Sequence, residues 1–587
     1  MWEIDRKRGQ APIAKWPEGC FALLVPDPFS SPAKRYDISK NALAFRVPKR
    51  LAPRCVGSSR DSFYPVGGFS IGGCRRTRQS TWLTTFIRPE TSMSLETSDA
   101  PSPSSRPPEG HGASARPAAD EHPQVDRPQW DSLKVRVRSR TTKRALRDVF
   151  GDSVKAGSVY RWGVAAARGE ACDEPWQWLS RLACGARRSK TTKDVDYQAA
   201  AEAVIHQLGS VRSLEPLDAA TAIAWAAALP ELTRRLSQQT WWDLLGCLQE
   251  LRESVMQRNA TDTPPHLMIG AELGLTLAWR LSDVPSCKRL QKSSLDAFAS
   301  WCECDGESIS GALPGATNAR LVLASLFRCQ HIIARTTRRK IKKQQRSVGD
   351  DLATWVAALT TTTGGTAMSA ASRQDVSDDL PPHGLLARAT EFDPEALEPA
   401  TAAALGKSQS GGRLAWEVCL PEAFHHDEDA KIAVMFPDWD VRRGRIHLDY
   451  AQQDTRLELL AGRAAVISGR CQTMIEYEGA SQQPCGPWTS SCEYTDDDVH
   501  YLELEQPWTG GILLQRQWMI VRDDRCVLFA DSVVPKDPSG SPRGAEIRYD
   551  CRFPLASSIT VDPEPETRDV FLCDGKRRGL VMPISAS

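Results

Sequence analysis

The sequence predicts an α+β protein of several domains, with a disordered N-terminal region, a helical domain and a C-terminal antiparallel β-sheet domain. Two patterns support this prediction. Between residues 216 and 375, apolar side chains recur at the three- and four-residue spacing that gives a helix one buried face. From residue 413 onward, apolar and polar residues alternate, as in strands with one buried face. A chain of 587 residues is long enough for both domains.

The first 130 residues show neither pattern. Residues 1–92 are rich in Arg, Pro, Gly and Cys, and Met93 opens a polar segment rich in Ser and Pro. Such a composition cannot bury enough apolar surface to fold. We therefore expect residues 1–130 to be mostly disordered. We interpret residues 1–92 as an upstream extension without a folded role, with the natural product starting at Met93.

The helical domain is expected over residues 131–375, as antiparallel hairpins whose connecting loops contain Pro or Gly. Helices are predicted at 218–229, ending at Pro230, at 241–255 after a Thr240 cap, and at 266–281, 318–336 and 350–359. The segment 376–412 follows a Thr-Thr-Thr-Gly-Gly run at 361–365 and contains Pro381-Pro382 and a Ser- and Gly-rich end at 408–412, which predicts a linker with a short helix near Leu385.

The β-sheet domain is expected over residues 413–587, as a large antiparallel sheet or sandwich with one wet face. One strand places Ile446, Leu448 and Tyr450 on its apolar face and Arg445, His447 and Asp449 on its polar face. A hairpin is predicted to join 512–521 to 526–533 through a turn at 522–525. The last predicted strand runs up to the end of the sequence, which raises the hypothesis of a missing C-terminal piece.

Composition excludes several classes of partner. The net charge is +1, so no overall basic field attracts nucleic acid, and no run of 18 apolar residues predicts a membrane span. No signal peptide is evident at residue 1. The 17 cysteines include one close pair, Cys302 and Cys304, without the second pair or histidines that zinc requires. We expect buried free thiols, no metal site and no cofactor.

Two segments carry a family resemblance. Residues 446–469 place a His and an Asp at the start of a strand, followed by a strand that ends in a glycine turn, and residues 514–531 form an Arg-led hairpin that closes on an Asp. With the domain order, these segments resemble the heparinase II/III-like polysaccharide lyases over roughly residues 150–587. The resemblance implies an α/α toroid packed on a β-sandwich and an acidic, uronate-containing polysaccharide as partner. Proteins of this family are commonly exported, whereas the sequence alone favours the cytoplasm by default, so localisation stays open.

The resemblance also implies β-elimination. This reaction needs a cation or hydrogen-bond donor at the uronate carboxylate, a base for the adjacent carbon-bound proton, and an acid for the leaving oxygen. His447 matches the family's sheet-domain histidine. The family's catalytic tyrosine lies in the helical domain, but residues 198–449 contain none, so a helical-domain histidine would have to serve as base. The candidate catalytic residues are His447, His266 and Tyr450, with His331 as an alternative base, and the candidate substrate-binding residues are Arg445, Arg470 and Asp449.

The alternative is a non-catalytic carbohydrate-binding or scaffold protein of the same architecture. A cleft lined by His447, an arginine and a helical-domain base would favour the enzyme, and an apolar filling would favour the alternative. A glycoside hydrolase is a third class, but no carboxylate pair is evident. The basic run 338–346 is either a solvated helix end or a polyanion contact. The cluster 425–429 is either a solvated loop or a metal site, and Glu272 is either a site residue or half of a structural ion pair.

Overall fold

The computed structural model of the chain describes residues 21–24, 127–139, 143–151, 159–168, 174–185, 195–210, 213–258, 260–369, 375–380, 382–407, 419–535 and 546–583. Helices precede an antiparallel sheet region, which confirms the predicted fold class. The expected disorder of residues 1–130 falls almost entirely outside the described residues. Among the described helices, none combines the length and apolarity needed to cross a bilayer.

Fourteen α-helices are found in the described residues. They are α1 (Arg127–Ser139), α2 (Lys143–Phe150), α3 (Val164–Arg168), α4 (Glu174–Ala183), α5 (Tyr197–Ser210), α6 (Pro216–Leu232), α7 (Gln238–Met256), α8 (Gly274–Arg280), α9 (Pro285–Glu303), α10 (Asp305–Ala312), α11 (Asn318–Thr336), α12 (Lys343–Ala358), α13 (Leu385–Ala389) and α14 (Pro394–Ala404). A π-helical stretch, His266–Leu273, leads directly into α8. All the helices predicted between 216 and 375 are present.

Several helix boundaries differ from the prediction, among them the start of α12, which begins at Lys343 and not at residue 350. Helix α6 continues through Pro230 to Leu232, where the Thr233 hydroxyl donates a hydrogen bond to the Pro230 carbonyl. Helix α7 is capped by Ser237, not by Thr240. The Ser237 side chain accepts the Thr240 amide at 3.1 Å, so Thr240 lies inside the first turn.

The segment expected to be a linker also differs, because it contains α14 in addition to α13, which lies where a short helix was expected near Leu385. Asp393 caps α14 by accepting the amides of Glu395 and Ala396, and Pro394 occupies the first helical turn. Leu385 and Leu397 are buried in the same apolar cluster as the other helices. Proline at a helix start favours the helix, so a Pro-rich composition did not distinguish this helix from a loop.

Sixteen strands in the described residues form three antiparallel sheets. They are β1 (Phe21–Leu24), β2 (Phe424–Asp427), β3 (Ile432–Met435), β4 (Arg445–Asp449), β5 (Arg456–Ala461), β6 (Ala464–Arg470), β7 (Gln472–Tyr477), β8 (Ala480–Gln482), β9 (Thr489–Thr495), β10 (Val499–Trp508), β11 (Ile512–Val521), β12 (Cys526–Pro535), β13 (Ile547–Arg552), β14 (Thr560–Pro563), β15 (Val570–Cys573) and β16 (Arg577–Pro583). The sheet orders are β14-β15-β16-β1-β12-β11-β10-β9, β2-β3-β4-β5-β6 and β13-β7-β8.

Strand β1 belongs to the region expected to lack a folded role. Residues 21–24 pair antiparallel with β12 on one side and with β16 on the other. This pairing was not predicted, because four apolar residues in an otherwise aperiodic region do not identify a partner strand.

The five-stranded sheet is covered on both faces, unlike the sheet with one wet face that the alternation predicted. Its Ile446, Leu448 and Tyr450 share an apolar cluster with residues of the eight-stranded sheet, including Leu514 and Trp518. On its other face Ile432, Val434 and Phe436 belong to the cluster of the helices. The alternation therefore identified the two faces correctly, but the face expected to be polar and wet is covered by the helical domain.

Candidate functional site

His447, the predicted catalytic histidine, lies at the junction between the helices and the five-stranded sheet. Its side chain is fully buried. Its Nε2 lies 3.3 Å from the Ala358 carbonyl and donates to it, while its Nδ1 has no hydrogen-bond partner and lies 4.0 Å from the Glu458 carboxylate. Burial, followed by the positive charge of Arg445, lowers the pKa of His447 to about 3. The imidazole is therefore neutral at physiological pH.

Arg445 is held in the same junction. Its guanidinium donates to the Trp439 carbonyl at 2.9 Å and to the Thr360 carbonyl at 3.3 Å, and it lies 4.8 Å from the centre of the Phe436 ring. Burial lowers the pKa of Arg445 to about 10. A buried arginine whose donors point to backbone carbonyls and aromatic rings acts as a structural connector in this geometry.

Glu458 completes the junction from the next strand. Its carboxylate accepts the backbone amide of Met368 at 2.7 Å, and burial raises its pKa. The helical side thus contributes backbone groups of residues 358–368 to these contacts. Arg445 and His447 are 1% and 0% exposed, so a polymer in solvent does not reach them in this conformation.

Lowering the pH from 7 to 4.5 is expected to destabilise the wild type more than a His447→Gln variant, by about 2–3 kcal/mol. The folded-state pKa of His447 lies below the usual value near 6.5. Between these two pKa values the unfolded state binds a proton that the folded state does not bind. This contribution is fully present above the unfolded pKa and is lost as the pH falls toward about 3.

Urea unfolding at both pH values measures this difference. Glutamine can still donate to the Ala358 carbonyl but does not titrate, so each variant is compared with its own stability at pH 7. Burial also lowers the pKa values of His425 and His500 to about 4, and these groups are common to both proteins. Equal pH dependence in the two proteins would show that His447 is not buried as the structure has it.

Tyr450 lies on the opposite face of the sheet, in a hydrogen-bonded chain that the sequence did not reveal. Its hydroxyl is 2.6 Å from Nε2 of His426, and Nδ1 of His426 is 2.7 Å from the Glu493 carboxylate. Burial, and then the carboxylates of Glu428 and Asp427, raise the pKa of Tyr450. Tyr450 therefore keeps its proton and donates to His426, which donates to Glu493.

His426 was expected in a solvated loop or a metal site, but it lies in strand β2. A strand across 424–427 could have been considered from the sequence, and it would have placed His425 and His426 on opposite faces. His425 lies against the rings of Trp355 and Trp439. The described residues contain no cluster of three or more side chains able to hold a metal ion.

The remaining predicted site residues lie in separate places. His266 is buried among the helices, with Nε2 3.1 Å from the Ser300 hydroxyl, and burial, then Arg252, lowers its pKa. Asp449 accepts the Ala451 amide at 3.0 Å at the end of β4. Arg470 is exposed and pairs in register with Arg456. The structure thus brings Arg445 and His447 together and places neither Tyr450 nor His266 beside them.

A basic ridge on the helical domain is the clearest charged surface. It comprises the cationic side chains from the last turn of α11 to the first turn of α12, namely Arg335, Arg338, Arg339, Lys340, Lys342, Lys343 and Arg346. Its ion pairs in the described residues are the exposed contacts Arg339–Asp296 at 3.6 Å and Lys342–Glu303 at 4.0 Å. A cavity of about 430 Å³ opens here, lined by Gln330, His331, Ala334, Arg335, Ile341 and Arg346.

Comparisons with known proteins give structural similarity only. No model of a protein family matches the sequence, and no curated protein matches it. A solved structure of heparinase III is similar at 10% identity and a TM-score of 0.45, over 68% of this chain and 67% of that one. The heparan sulfate lyase HepC from Pedobacter heparinus is similar at 9% identity and a TM-score of 0.36, over 70% of this chain and 82% of that one. The resemblance noted in the sequence thus has a distant structural counterpart, and it carries no activity to this chain.

Proposed function

We propose that this chain is a non-catalytic carbohydrate-binding protein that binds an acidic polysaccharide through the basic ridge. The observation that carries the proposal is the ridge itself. It places seven cationic side chains within residues 335–346, two of which, Arg335 and Arg346, line one cavity, with few and long ion pairs to neighbouring carboxylates. Such a concentration of weakly paired positive charge attracts a polyanion even though the whole chain is nearly neutral.

The cavity supports a polymer with discrete anionic groups. Arg335 and Arg346 lie on different helices and both line the cavity, with the apolar side chains of Ala334 and Ile341 beside them. Arginine binds carboxylate and sulfate groups through two parallel hydrogen bonds, and the apolar lining can contact the carbon face of a sugar ring. The choice of a polysaccharide among polyanions comes from the family resemblance of the sequence.

The junction supports binding without elimination at His447. The chemistry requires a base and a cation that reach the uronate, but His447 and Arg445 are buried and bonded to backbone carbonyls. The helical side offers the backbone of residues 358–368 there, and His266 bonds to Ser300 elsewhere. In the described residues, His447 and Arg445 therefore do not line an open cleft with a helical-domain base, which is the condition set for the enzyme.

A second candidate, elimination at Tyr450, is favoured by the chain of Tyr450, His426 and Glu493. A tyrosine that donates to a histidine backed by a carboxylate is a proton-transfer arrangement. Two features oppose it. Tyr450 is 1% exposed, and the carboxylates of Asp427, Glu428, Asp429 and Glu493 surround it, which would repel a uronate.

Reversing two ridge charges with Arg335→Glu/Arg346→Glu is expected to weaken binding to heparin or alginate by about tenfold or more at low salt, since every 1.4 kcal/mol is a factor of ten. Four units of charge change at the cavity, and exposed contacts of this kind weaken further as salt increases. The matched control is Arg548→Glu/Arg577→Glu, which makes the same charge change on exposed sheet residues. Fluorescence titration with labelled polymer measures both.

The same samples decide between binding and catalysis. Formation of the unsaturated uronate is followed by its ultraviolet absorbance, in the wild type and in His447→Ala and Tyr450→Phe variants. We expect binding without product. Product that disappears in Tyr450→Phe would overturn the proposal in favour of the second candidate. Equal loss of binding in the ridge and control variants would show that net charge, and not the ridge, attracts the polymer. Equal affinity for duplex DNA would show that the ridge binds polyanions in general and is not specific for a polysaccharide.

A further inference from the structure

We propose that the interior of the helical domain binds one small inorganic anion, of the size of chloride or bromide, between the guanidinium of Arg280 and the hydroxyl of Tyr160. The site lies at the end of α8, apart from the basic ridge, so it goes beyond the binding proposed above. Arg280 and Tyr160 are 2% and 3% exposed, which excludes a polymer. The role of the ion is structural, because it supplies a negative charge that this part of the core lacks.

One face of the helix formed by the π-helical stretch and α8 carries polar side chains within an apolar core. Glu272, Thr276 and Arg280 follow one another at four-residue spacing, so they lie on the same side of this helix. All three are buried. Both carboxylate oxygens of Glu272 accept hydrogen bonds from Arg328. The charges of Glu272 and Arg328 therefore cancel, and Arg280 leaves this face with one uncompensated positive charge.

The guanidinium of Arg280 is incompletely hydrogen-bonded. Its Nη2 donates to the carbonyls of Ala227 and Ala183, at 3.0 and 3.4 Å. Its Nε and Nη1 are buried and have no hydrogen-bond partner among the described residues. The Glu231 carboxylate acts on Arg280 through its charge, without a hydrogen bond to these two nitrogens. Arginine remains charged when it is buried, and a buried cation without a counter-charge is strongly unfavourable.

The side chains that face Arg280 add hydrogen-bond donors but no negative charge. The hydroxyls of Tyr160 and Thr276 are buried without a partner among the described residues. The Cys184 sulfur is hydrogen-bonded to the backbone of Tyr160, and Arg280 donates to the carbonyl of the residue before Cys184. Burial raises the pKa of Tyr160, and it raises the pKa of Cys184 to about 12. Both groups therefore keep their protons at neutral pH, and neither compensates Arg280.

A halide ion corrects both deficits of this site. It accepts hydrogen bonds from several donors at once, and it neutralises the charge of Arg280. A water molecule would accept the same hydrogen bonds but would leave the buried cation uncompensated. The ion connects α8 to Tyr160, because both sides contribute donors to it.

Bromide locates the site without any variant. Crystals of the full chain, grown from protein refolded in sodium bromide, should show an anomalous scattering peak within hydrogen-bond distance of the Arg280 guanidinium and the Tyr160 hydroxyl. Refolding is necessary because an enclosed ion exchanges only when the core opens. A water molecule at this position, with bromide confined to the protein surface, would overturn the proposal.

Urea unfolding gives a second measurement. At constant ionic strength, replacing gluconate with bromide should raise the unfolding midpoint until the site is saturated, because only the folded state binds the ion. Tyr160→Phe removes one donor and should raise the half-saturating bromide concentration about tenfold, while Arg280→Met should abolish the dependence. The matched control Arg548→Met removes an exposed arginine and should respond as the wild type does. Equal responses in Arg280→Met and the control, or a response in the wild type that does not saturate, would contradict the proposal.

Discussion

Replacing Arg516 with leucine is expected to lower the free energy of unfolding by about 3–5 kcal/mol, because it leaves a buried carboxylate without its counter-charge. Arg516 is fully buried and donates from Nε and Nη2 to the two oxygens of Asp531 at 2.9 and 2.8 Å. The Tyr549 hydroxyl also donates to Asp531. Chemical denaturation followed by tryptophan fluorescence measures the loss.

Arg516 also connects all three sheets. It lies in β11 of the eight-stranded sheet and donates to the hydroxyl of Thr455, beside the five-stranded sheet, at 2.7 Å. It donates to the hydroxyl of Thr473, in the three-stranded sheet, at 2.9 Å. Its guanidinium lies 5.3 Å from the centre of the Trp488 ring. The loss of these contacts adds packing and hydrogen-bond costs to the electrostatic one.

Two further variants separate these causes. In Arg516→Leu/Asp531→Leu no charge remains unpaired, so we expect the double variant to recover a substantial part of the lost stability. Arg548→Leu, at an arginine that is 70% exposed, should leave the stability almost unchanged. A double variant as unstable as the single one would mean that the unpaired carboxylate is not the main cost.

The Arg516–Asp531 ion pair is a contact that the sequence could have predicted. The predicted hairpin placed its turn at 522–525, and counting outward from that turn puts residue 516 directly opposite residue 531, as the structure has it. The pair was singled out only through the family resemblance. Register follows from turn position in a hairpin, so local sequence carries enough information for contacts of this kind.

Burial at the junction could not be predicted in the same way. Alternation along β4 separated Ile446 from His447 correctly, but it cannot tell whether a polar face meets water or another domain. The cover over His447 comes from residues 358–368, far from β4 along the chain. The prediction that His447 faces solvent and is catalytic was therefore open to a tertiary contact that no local pattern encodes.

The chain of Tyr450, His426 and Glu493 was missed for a related reason. Its members come from the end of β4, from β2 and from β9, and the first two are separated by β3 in the sheet. Periodicity gives the face of each strand but not the order of strands that are distant in sequence. Such contacts depend on topology, which the alternation left open.

Replacing Glu272 with leucine is expected to lower the free energy of unfolding by about 3–5 kcal/mol, for the same physical reason in the helical core. Glu272 is fully buried in the π-helical stretch, and its two carboxylate oxygens accept Nε and Nη2 of Arg328 at 2.5 and 3.1 Å. The sequence predicted that a buried Glu272 needs a partner, and the ion pair is confirmed. The partner itself, 56 residues away, was not predictable from spacing.

A series at Glu272 distinguishes loss of charge from loss of shape. Glu272→Gln keeps the side-chain volume and one acceptor for Arg328, so its free energy of unfolding should lie between those of the wild type and of Glu272→Leu. In Glu272→Leu/Arg328→Met the buried cation is also removed, and stability should rise above that of Glu272→Leu. Arg328 additionally donates to the Val159 carbonyl at 3.0 Å, so the methionine variant leaves that carbonyl unpaired and recovery should stay incomplete.

If Glu272→Gln and Glu272→Leu destabilise the protein equally, packing around residue 272, and not the unpaired Arg328 guanidinium, sets the loss of stability. If instead the double variant recovers most of the loss, the pair specifies how α11 and the π-helical stretch dock and adds little net stability of its own.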